Sequence, residues 1–191
     1  MRTLVVIRGN SGSGKSTVAR EPRHRYGRGC ALVEQDYLRR MVLRERDQPG
    51  GLAPTFIGHA VSFLLTNGYH VVLEGILAAD RYGEALDELR RAHRGPTFSF
   101  YLDVSVEETL RRHRTRSQAA EFTPDQMRGW YQAEDLLHFT GERVIPEAST
   151  IEQTVAYIAA TAGLLAGDGG DLEPHLVPPS SRSAATAVRG N

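Results

Sequence analysis

Five short apolar runs are spaced along the chain and predict the strands of one sheet. They cover residues 4–7, 30–33, 69–73, 97–102 and 143–145. The first run is uninterrupted and rich in β-branched residues, which is typical of a central strand buried on both faces. Segments with helical spacing separate the runs, so strands and helices are expected to alternate. This alternation predicts an α/β fold.

The segments between the runs predict the helices and their buried faces. A helix is expected over 54–66, with Phe56, Ala60, Phe63 and Leu64 on its apolar face, and another over 80–93, with Tyr82, Leu86 and Leu89. Further helix starts carry capping patterns, in which a hydroxyl residue is followed three positions later by Glu or Gln. These are Ser105 with Glu108, Thr123 with Gln126, and Ser149 with Glu152.

The helix expected after the first run contains a proline. It is expected to begin at Lys15, and Pro22 falls about two turns into it. Proline lacks a backbone N–H and its ring clashes with the preceding turn. The helix is therefore expected either to kink at Pro22 or to end near Arg20.

The most specific chemical signal is residues 9–16, Gly-Asn-Ser-Gly-Ser-Gly-Lys-Ser. They match G-x-x-x-x-G-K-[ST], the phosphate-binding loop, and they lie between a predicted strand and a predicted helix, as this loop requires. Glycines let successive N–H groups turn towards phosphate oxygens. Lys15 is expected to contact the β- and γ-phosphates, and the Ser16 hydroxyl is expected to bind Mg²⁺. The residues predicted to bind the nucleotide are Gly9, Asn10, Ser11, Gly12, Ser13, Gly14, Lys15, Ser16 and Thr17.

Composition adds bounds to this picture. The chain has 191 residues, enough for one α/β domain, and its 23 Lys and Arg residues balance 23 Asp and Glu residues. This balance argues against a general polyanion-binding protein, although it leaves a local basic patch open. Residues 166–191 are rich in Gly, Pro, Ser and Ala, which predicts a low-complexity, disordered tail after a domain over 1–165.

Cysteine use and hydropathy indicate the compartment. Cys30 is the only cysteine, so no intramolecular disulfide can form, and its expected role is that of a small core residue. The N-terminus leads directly into a strand, and no apolar run approaches the ~20 residues that cross a bilayer. These features favour a soluble, cytoplasmic protein without a membrane partner.

Acidic residues follow the second and third runs, at the ends of strands that face the ligand in open α/β sheets. Asp36 is predicted to accept the proton of an attacking hydroxyl, and Arg39 and Arg40 are candidates for binding an anionic acceptor. The alternative is a helix N-cap at Asp36 with solvated arginines. Glu74 ends the third run and is predicted to bind Mg²⁺, directly or through water, or to position the nucleophile on the substrate side.

The densest basic segment, residues 111–116, follows the fourth run. Arg112 and Arg116 lie four positions apart and therefore on one helical face. They are predicted to belong to a lid around 112–126 and to act as catalytic arginines that contact the transferring phosphate. The alternative is a solvated basic surface.

Taken together, these segments resemble the P-loop kinases of the nucleoside-monophosphate-kinase-like group, and within it the AAA_33 type. The resemblance covers about residues 2–163 and is carried by IRGNSGSGKSTVAR, EQDYLRR, VVLEGIL, YLDVSVEETLRRHRTR and EFTPDQMRGWY. It implies a three-layer sandwich, with a five-stranded parallel sheet in the order 2-3-1-4-5 and helices on both faces. It also implies ATP and Mg²⁺ as cofactors, with Lys15, Asp36, Arg112 and Arg116 as the catalytic residues.

The leading hypothesis is a kinase that transfers the γ-phosphoryl group of ATP to a hydroxyl of a small molecule, such as a metabolite, a nucleoside or an antibiotic. A polynucleotide 5′-hydroxyl kinase is one alternative. It would need a basic channel with stacking aromatic residues, which the even charge does not favour. A nucleotide-dependent switch is the other. It would need no acceptor residues, so the acid and arginines after the second run argue against it.

Overall fold

The computed structural model describes residues 1–114, 123–139 and 141–164. Part of the predicted lid, residues 115–122 with Arg116, therefore lies outside the described residues. The predicted tail lies outside them as well. The strands are β1 (Leu4–Gly9), β2 (Cys30–Glu34), β3 (His70–Gly75), β4 (Thr97–Asp103) and β5 (Glu142–Pro146). The helices are α1 (Lys15–Tyr26), α2 (Gln35–Tyr37), α3 (Ala53–Thr66), α4 (Ala79–Ala92), α5 (Val106–His113), α6 (Pro124–Trp130) and α7 (Ile151–Ala162). A π-helix, Leu38–Leu43, directly follows α2.

The five strands form one parallel sheet in the order β2-β3-β1-β4-β5, as predicted. Because all strands run in the same direction, their carboxyl ends meet at one edge, where ligands bind in open α/β sheets. The register places Glu74 beside Ile7 on one side and beside Glu34 on the other. The residues that follow β1, β2 and β3 are therefore neighbours at this edge.

Helices cover both faces of the sheet, which confirms the three-layer sandwich. On one face, Val18 of α1 and Ile158 of α7 pack with Ile7 in a buried cluster that also contains Cys30. On the other face, helices α3 and α4 pack against a second buried cluster of sheet residues. Burial raises the pKa of the Cys30 thiol to about 11, in keeping with its predicted place in the core.

One detail of the helices differs from the prediction, and another excludes one of two predicted alternatives. In α3, Phe63 is 67% exposed, and the buried residues are Ala53, Ile57, Val61 and Leu65. The predicted face was wrong because spacing of four residues fits both stripes equally, and the packing of α3 against the sheet buries the stripe one position further along the chain. Helix α1 does not end near Arg20 but continues to Tyr26. Pro22 removes one backbone donor, but it is buried with Val18 and Ala19 on the packed side of the helix.

The capping patterns have mixed outcomes. Thr123 and Gln126 form the predicted reciprocal pair before α6. Ser105 accepts the Glu108 N–H, but the carboxylate of Glu147, not that of Glu108, accepts the Ser105 N–H. The third pattern was wrong by one residue, because the reciprocal pair before α7 is Thr150 with Gln153. Ser149 instead donates its N–H to Pro146 and belongs to the preceding turn.

Among the described residues, no helix is both long enough and apolar enough to cross a membrane.

Candidate functional site

The loop between β1 and α1 has a backbone that only glycine adopts easily. Gly9, Gly12 and Gly14 have φ angles of 149°, 86° and 99°. A Cβ atom on Gly12 would lie 2.9 Å from the Thr109 carbonyl oxygen and 3.3 Å from Met127 Cε, so the outer side of the loop packs closely against α5 and α6. A Cβ atom on Gly14 would meet only Arg112 Nη1, at 3.8 Å, so the loop is open on that side.

One buried hydroxyl in this loop lacks a partner. Ser13 is 2% exposed, and its Oγ has no hydrogen-bond partner among the described residues. A buried polar atom without a hydrogen bond is costly and calls for an explanation such as a ligand. Phosphate oxygens would accept a bond from this hydroxyl and from loop N–H groups, so the residues present fit a nucleotide phosphate group.

Lys15, Ser16 and Glu74 lie together beside this loop. The Ser16 hydroxyl contacts both carboxylate oxygens of Glu74, at 3.1 and 3.2 Å, and Lys15 Nζ donates to the Asn10 carbonyl at 3.2 Å. Glu74 is 4% exposed. Burial raises its pKa, while the charge of Lys15 and the hydrogen bond from Ser16 lower it in part.

A hydroxyl and a carboxylate are oxygen ligands of the kind that Mg²⁺ prefers. Within residues 1–114, 123–139 and 141–164, no group of three or more His, Cys, Asp or Glu could hold a metal ion. Magnesium commonly keeps several waters and uses one or two carboxylates together with substrate phosphates. The pair of Ser16 and Glu74 therefore fits magnesium that arrives with a nucleotide.

Glu34, to which the sequence assigned no role, is the strand neighbour of Glu74. Their Cα atoms are register partners on β2 and β3, and the Glu34 charge raises the pKa of Glu74. Arg20 of α1 contacts Glu34 at 2.9 Å. The signal that could have found it is the spacing of Glu34 and Asp36, two acids at the end of one strand.

Asp36 lies within α2, and each of its carboxylate oxygens forms an ion pair with an arginine. Arg39 Nη2 contacts Oδ1 at 2.7 Å, and Arg40 Nη1 contacts Oδ2 at 3.1 Å. The structure thus brings together the three predicted acceptor residues. The N-cap alternative for Asp36 was wrong, because the N-cap of α2 is Glu34.

Arg39 is more firmly fixed than a solvated arginine. Its side chain is 15% exposed, and Nη1 also donates to the Glu45 carbonyl at 3.0 Å. The Glu45 carboxylate in turn accepts the N–H groups of Leu52 and Ala53 at the start of α3. The guanidinium group therefore has a defined position between Asp36 and the loop before α3.

Arg112, the described member of the predicted arginine pair, contacts the phosphate-binding loop. Its Nη1 donates to the Ser13 carbonyl at 2.9 Å, and its Nε donates to Glu108 at 2.6 Å. Hydrogen bonds from Arg111 and Arg112 lower the pKa of Glu108 to about 2. Arg112 is therefore held beside the loop, whereas Arg111 contacts Glu108 on the exposed side of the helix.

A cavity of about 440 Å³ opens next to the loop. It lies between the start of α1, helix α5 and the segment that joins β5 to α7. Its lining includes Ser13, Gly14, Thr17, Arg112, Ile145 and Thr150. Ile145 and Thr150 could not be found from the sequence, because only the return of β5 beside β4 brings them to the loop.

The side chain of Asn10, predicted within the nucleotide-binding set, contacts protein. Its Nδ2 donates to the Gln132 carbonyl at 2.8 Å, and its Oδ1 accepts the Gln132 N–H at 3.0 Å. Only the backbone of Asn10 therefore remains for the loop interior, and its carbonyl already accepts the bond from Lys15.

Comparison with known proteins defines the family and the fold. No curated protein matches the chain. A gluconokinase from Sinorhizobium meliloti 1021 superposes with a TM-score of 0.61 at 21% identity, covering 85% of this chain and 96% of its own. The APS kinase of Mycobacterium tuberculosis in complex with AMPPNP and APS gives a TM-score of 0.63 at 16% identity, covering 85% and 96%.

A sugar kinase from Janibacter sp. HTCC2649 gives a TM-score of 0.60 at 17% identity, covering 87% of this chain and 99% of its own. At these identities the three structures show the fold, which is that of the P-loop kinases. Residues 4–133, more than half of the chain, match the family model AAA_33, described as an AAA domain. The protein therefore belongs to the AAA_33 family.

Proposed function

We propose that this protein is a kinase that transfers the γ-phosphoryl group of ATP to a hydroxyl of a small acceptor molecule. One observation carries the proposal: Glu74 contacts Ser16 at the carboxyl edge of the sheet, and Asp36 with its two arginines follows the neighbouring strand. The residues proposed to bind phosphate and those proposed to bind the acceptor thus follow neighbouring strands, which supports a transfer reaction between them.

The phosphate-binding residues would hold the nucleotide and its metal. When bound, ATP with Mg²⁺ supplies the phosphoryl group and offsets part of its charge. Loop N–H groups, the Ser13 hydroxyl and Lys15 would bind the phosphate oxygens, while Ser16 and Glu74 would hold the metal. Arg112, and Arg116 by prediction, would stabilise charge that develops on the transferring group.

The acceptor-binding residues would orient the hydroxyl and any anionic group beside it. Asp36 would accept the hydroxyl proton or a hydrogen bond from that hydroxyl. Arg40 and the half-buried Arg39 would bind a carboxylate or phosphate on the acceptor, because guanidinium groups match these anions in geometry. ATP and a small, anionic molecule are the proposed partners, and the cytoplasm is the proposed compartment.

The test is transfer of label from γ-labelled ATP in the presence of Mg²⁺ to paired acceptors that differ only in a carboxylate, such as gluconate and sorbitol. The set should also include nucleosides and 5′-hydroxyl oligonucleotides. We expect label in a small anionic acceptor and acceptor-stimulated release of ADP. Label in oligonucleotides alone would support a polynucleotide kinase instead. Slow ADP release that no acceptor stimulates would support a switch.

A further inference from the structure

Arg8 is a charged residue in the centre of the sheet. It is the residue of β1 before Gly9, its side chain is 0% exposed, and it is the largest of the fully buried side chains described. Its guanidinium donates to the Leu77 carbonyl at 2.9 Å, to the Asp135 carbonyl and carboxylate at 3.0 and 2.9 Å, and to both Glu142 oxygens at 3.0 Å. All three of its nitrogen atoms are therefore engaged.

Stability alone is a poor explanation for this arrangement. Taking a guanidinium and two carboxylates out of water is costly, and buried ion pairs often stabilise a fold no more than apolar residues of similar size. A fork that reaches three separate chain segments can instead fix their relative positions. The segments here are the loop after β3, the chain after α6 and strand β5.

Two of these contacts lie at strained backbone. Outside glycine, positive φ angles in the described chain occur at Arg44, Leu77 and Glu134, with values of 53°, 46° and 51°. Arg8 binds the carbonyl of Leu77 and both polar groups of Asp135, the residue after Glu134. Such conformations cost free energy and persist where surrounding contacts determine them. Arg8 supplies such a contact at Leu77, and it binds the residue that directly follows Glu134.

The strained loop begins one residue after the candidate metal ligand, because Gly75 is the last residue of β3. In the sheet register, Arg8 is the partner of Gly75, the residue that follows Glu74. Arg8 binds this loop at Leu77, and Asp135 binds it at the Ala79 N–H, at 3.0 and 3.2 Å. Arg8 and Asp135 thus hold the chain that follows Glu74 in one position, while the carboxylate of Glu74 contacts the Ser16 hydroxyl.

We propose that Arg8 is a positioning residue for the Mg²⁺ site. It fixes the loop after Glu74 and so sets the carboxylate of Glu74 against the Ser16 hydroxyl. This inference rests on the proposed function, because it requires that the two residues hold magnesium with a nucleotide. Residues that hydrogen-bond directly to a metal ligand commonly change metal affinity by about 10- to 100-fold when they are altered. Arg8 acts through the chain that follows Glu74, so we expect an effect near the lower end of this range.

The test compares Arg8→Lys with Arg143→Lys. Arg143 lies next to Glu142 on β5, and its guanidinium stacks over the rings of Phe98 and Phe100, away from the loop after β3. Calorimetry measures the binding of the ATP analogue AMPPNP in EDTA and in a series of Mg²⁺ concentrations. We expect Arg8→Lys to reduce the gain in affinity due to Mg²⁺ by about tenfold or more, with little change in EDTA. Arg143→Lys should leave both values unchanged.

Hydrogen exchange provides a readout that needs no nucleotide. The Ala79 amide should exchange about tenfold faster in Arg8→Lys, and not in Arg143→Lys, because the local contacts that protect it are weakened. If Arg8→Lys does not fold, Asp135→Asn replaces it, since asparagine keeps an acceptor for the Ala79 N–H but loses the charge. It should change the Mg²⁺ dependence in the same direction.

Equal losses of affinity with and without Mg²⁺, or an unchanged Mg²⁺ dependence together with faster exchange, would overturn the proposal, since Arg8 would then be structural only. A wild-type protein that does not bind AMPPNP at any Mg²⁺ concentration would contradict the proposed function itself. The two failures are distinct, because the first requires a wild type that binds the analogue with magnesium.

Discussion

Two pentapeptides of this chain have almost the same sequence and the same ion pairs, but only one lies at the candidate site. DYLRR (36–40) follows β2, and DELRR (87–91) lies within α4. In each, the aspartate contacts the arginines three and four positions later, at 2.7 and 3.1 Å in the first and at 2.7 and 2.6 Å in the second. The helical repeat alone accounts for this geometry.

The difference lies in the second contacts of the arginines. Arg39 is 15% exposed and also binds the Glu45 carbonyl, whereas Arg90 is 39% exposed and lies over the ring of Phe139. A third example, ETLRR (108–112), behaves like the first, because Arg112 also binds the Ser13 carbonyl. Sequence thus determines the ion pairs, and the topology of the sheet determines where each one lies: Arg112 contacts the phosphate-binding loop, and Asp36 follows β2 at the carboxyl edge of the sheet.

The largest effect on the rate of phosphoryl transfer is expected when the aspartate of each pentapeptide is replaced in a separate variant. Asp36→Asn should lower the rate of phosphoryl transfer by about 10²- to 10³-fold, because asparagine cannot accept the hydroxyl proton. Asp87→Asn removes the same kind of ion pair and should leave the rate within about twofold, since it lies on a covering helix. Initial rates with saturating substrates measure both. Equal rates for the two variants would end the distinction between the pentapeptides.

Replacing Glu74 should have opposite effects on two quantities: the gain in nucleotide affinity due to Mg²⁺ should fall, and the free energy of unfolding should rise. Glu74→Gln keeps a hydrogen bond from Ser16 but removes a buried charge, so we expect loss of the Mg²⁺-linked gain in nucleotide affinity. The free energy of unfolding without ligand should rise by about 1 kcal/mol at pH 7. Calorimetry and thermal unfolding measure the two effects.

The pH dependence of this stabilisation follows from the raised pKa of Glu74 in the folded protein. Between its ordinary pKa and the raised value, the folded state binds a proton that the unfolded state does not, so wild-type stability falls as pH rises through that window. The advantage of Glu74→Gln should therefore grow over the same window and disappear below about pH 4. An advantage that does not vary with pH would contradict the assignment to Glu74.

A smaller effect is expected at the paired arginines. Arg39→Gln should raise the KM for an anionic acceptor by about tenfold, with the KM for ATP unchanged, because one charged hydrogen bond to the acceptor is lost. Arg90→Gln serves as the matched control and should change neither KM. If Arg39→Gln affects anionic and neutral acceptors alike, the arginine does not bind the anionic group.

The smallest effect concerns the ion pair itself. Arg91 is 71% exposed, so Arg91→Gln should change the free energy of unfolding by less than about 0.5 kcal/mol. Chemical denaturation measures this value. A loss above 1 kcal/mol would mean that these ion pairs are structural on α4, and stability effects would then have to be separated from function at Asp36 as well.

Much of the fold was predictable because it depends on local patterns. Continuous apolar runs such as residues 4–7 identify buried parallel strands. The sequence of residues 9–16 is specific to the phosphate-binding loop and so identifies that loop. The face of α3 was predicted wrongly because Phe63 is apolar but exposed, and its burial is decided by which stripe meets the sheet. Local apolarity does not contain that information.

The parts of the site that escaped prediction depend on contacts distant in sequence. Glu34 gains its place beside Glu74 from the pairing of β2 with β3, and Thr150 reaches the cavity because β5 pairs with β4. Arg8 looks like a strand-end charge in the sequence, yet its partners are 69 to 134 positions away. Only the folded topology joins such residues.

The central claim, that the loop 9–16 binds the terminal phosphates of a nucleotide, can be tested directly at Lys15, the only lysine in the sequence. An amine-reactive reagent can then modify only Lys15 and the terminal amine, and peptide mass spectrometry gives the rate at each. With Mg²⁺ present, we predict that ATP slows modification of Lys15 by about tenfold or more, AMP does so far less, and the terminal amine is unaffected. An equal rate at Lys15 with and without saturating ATP would contradict the account.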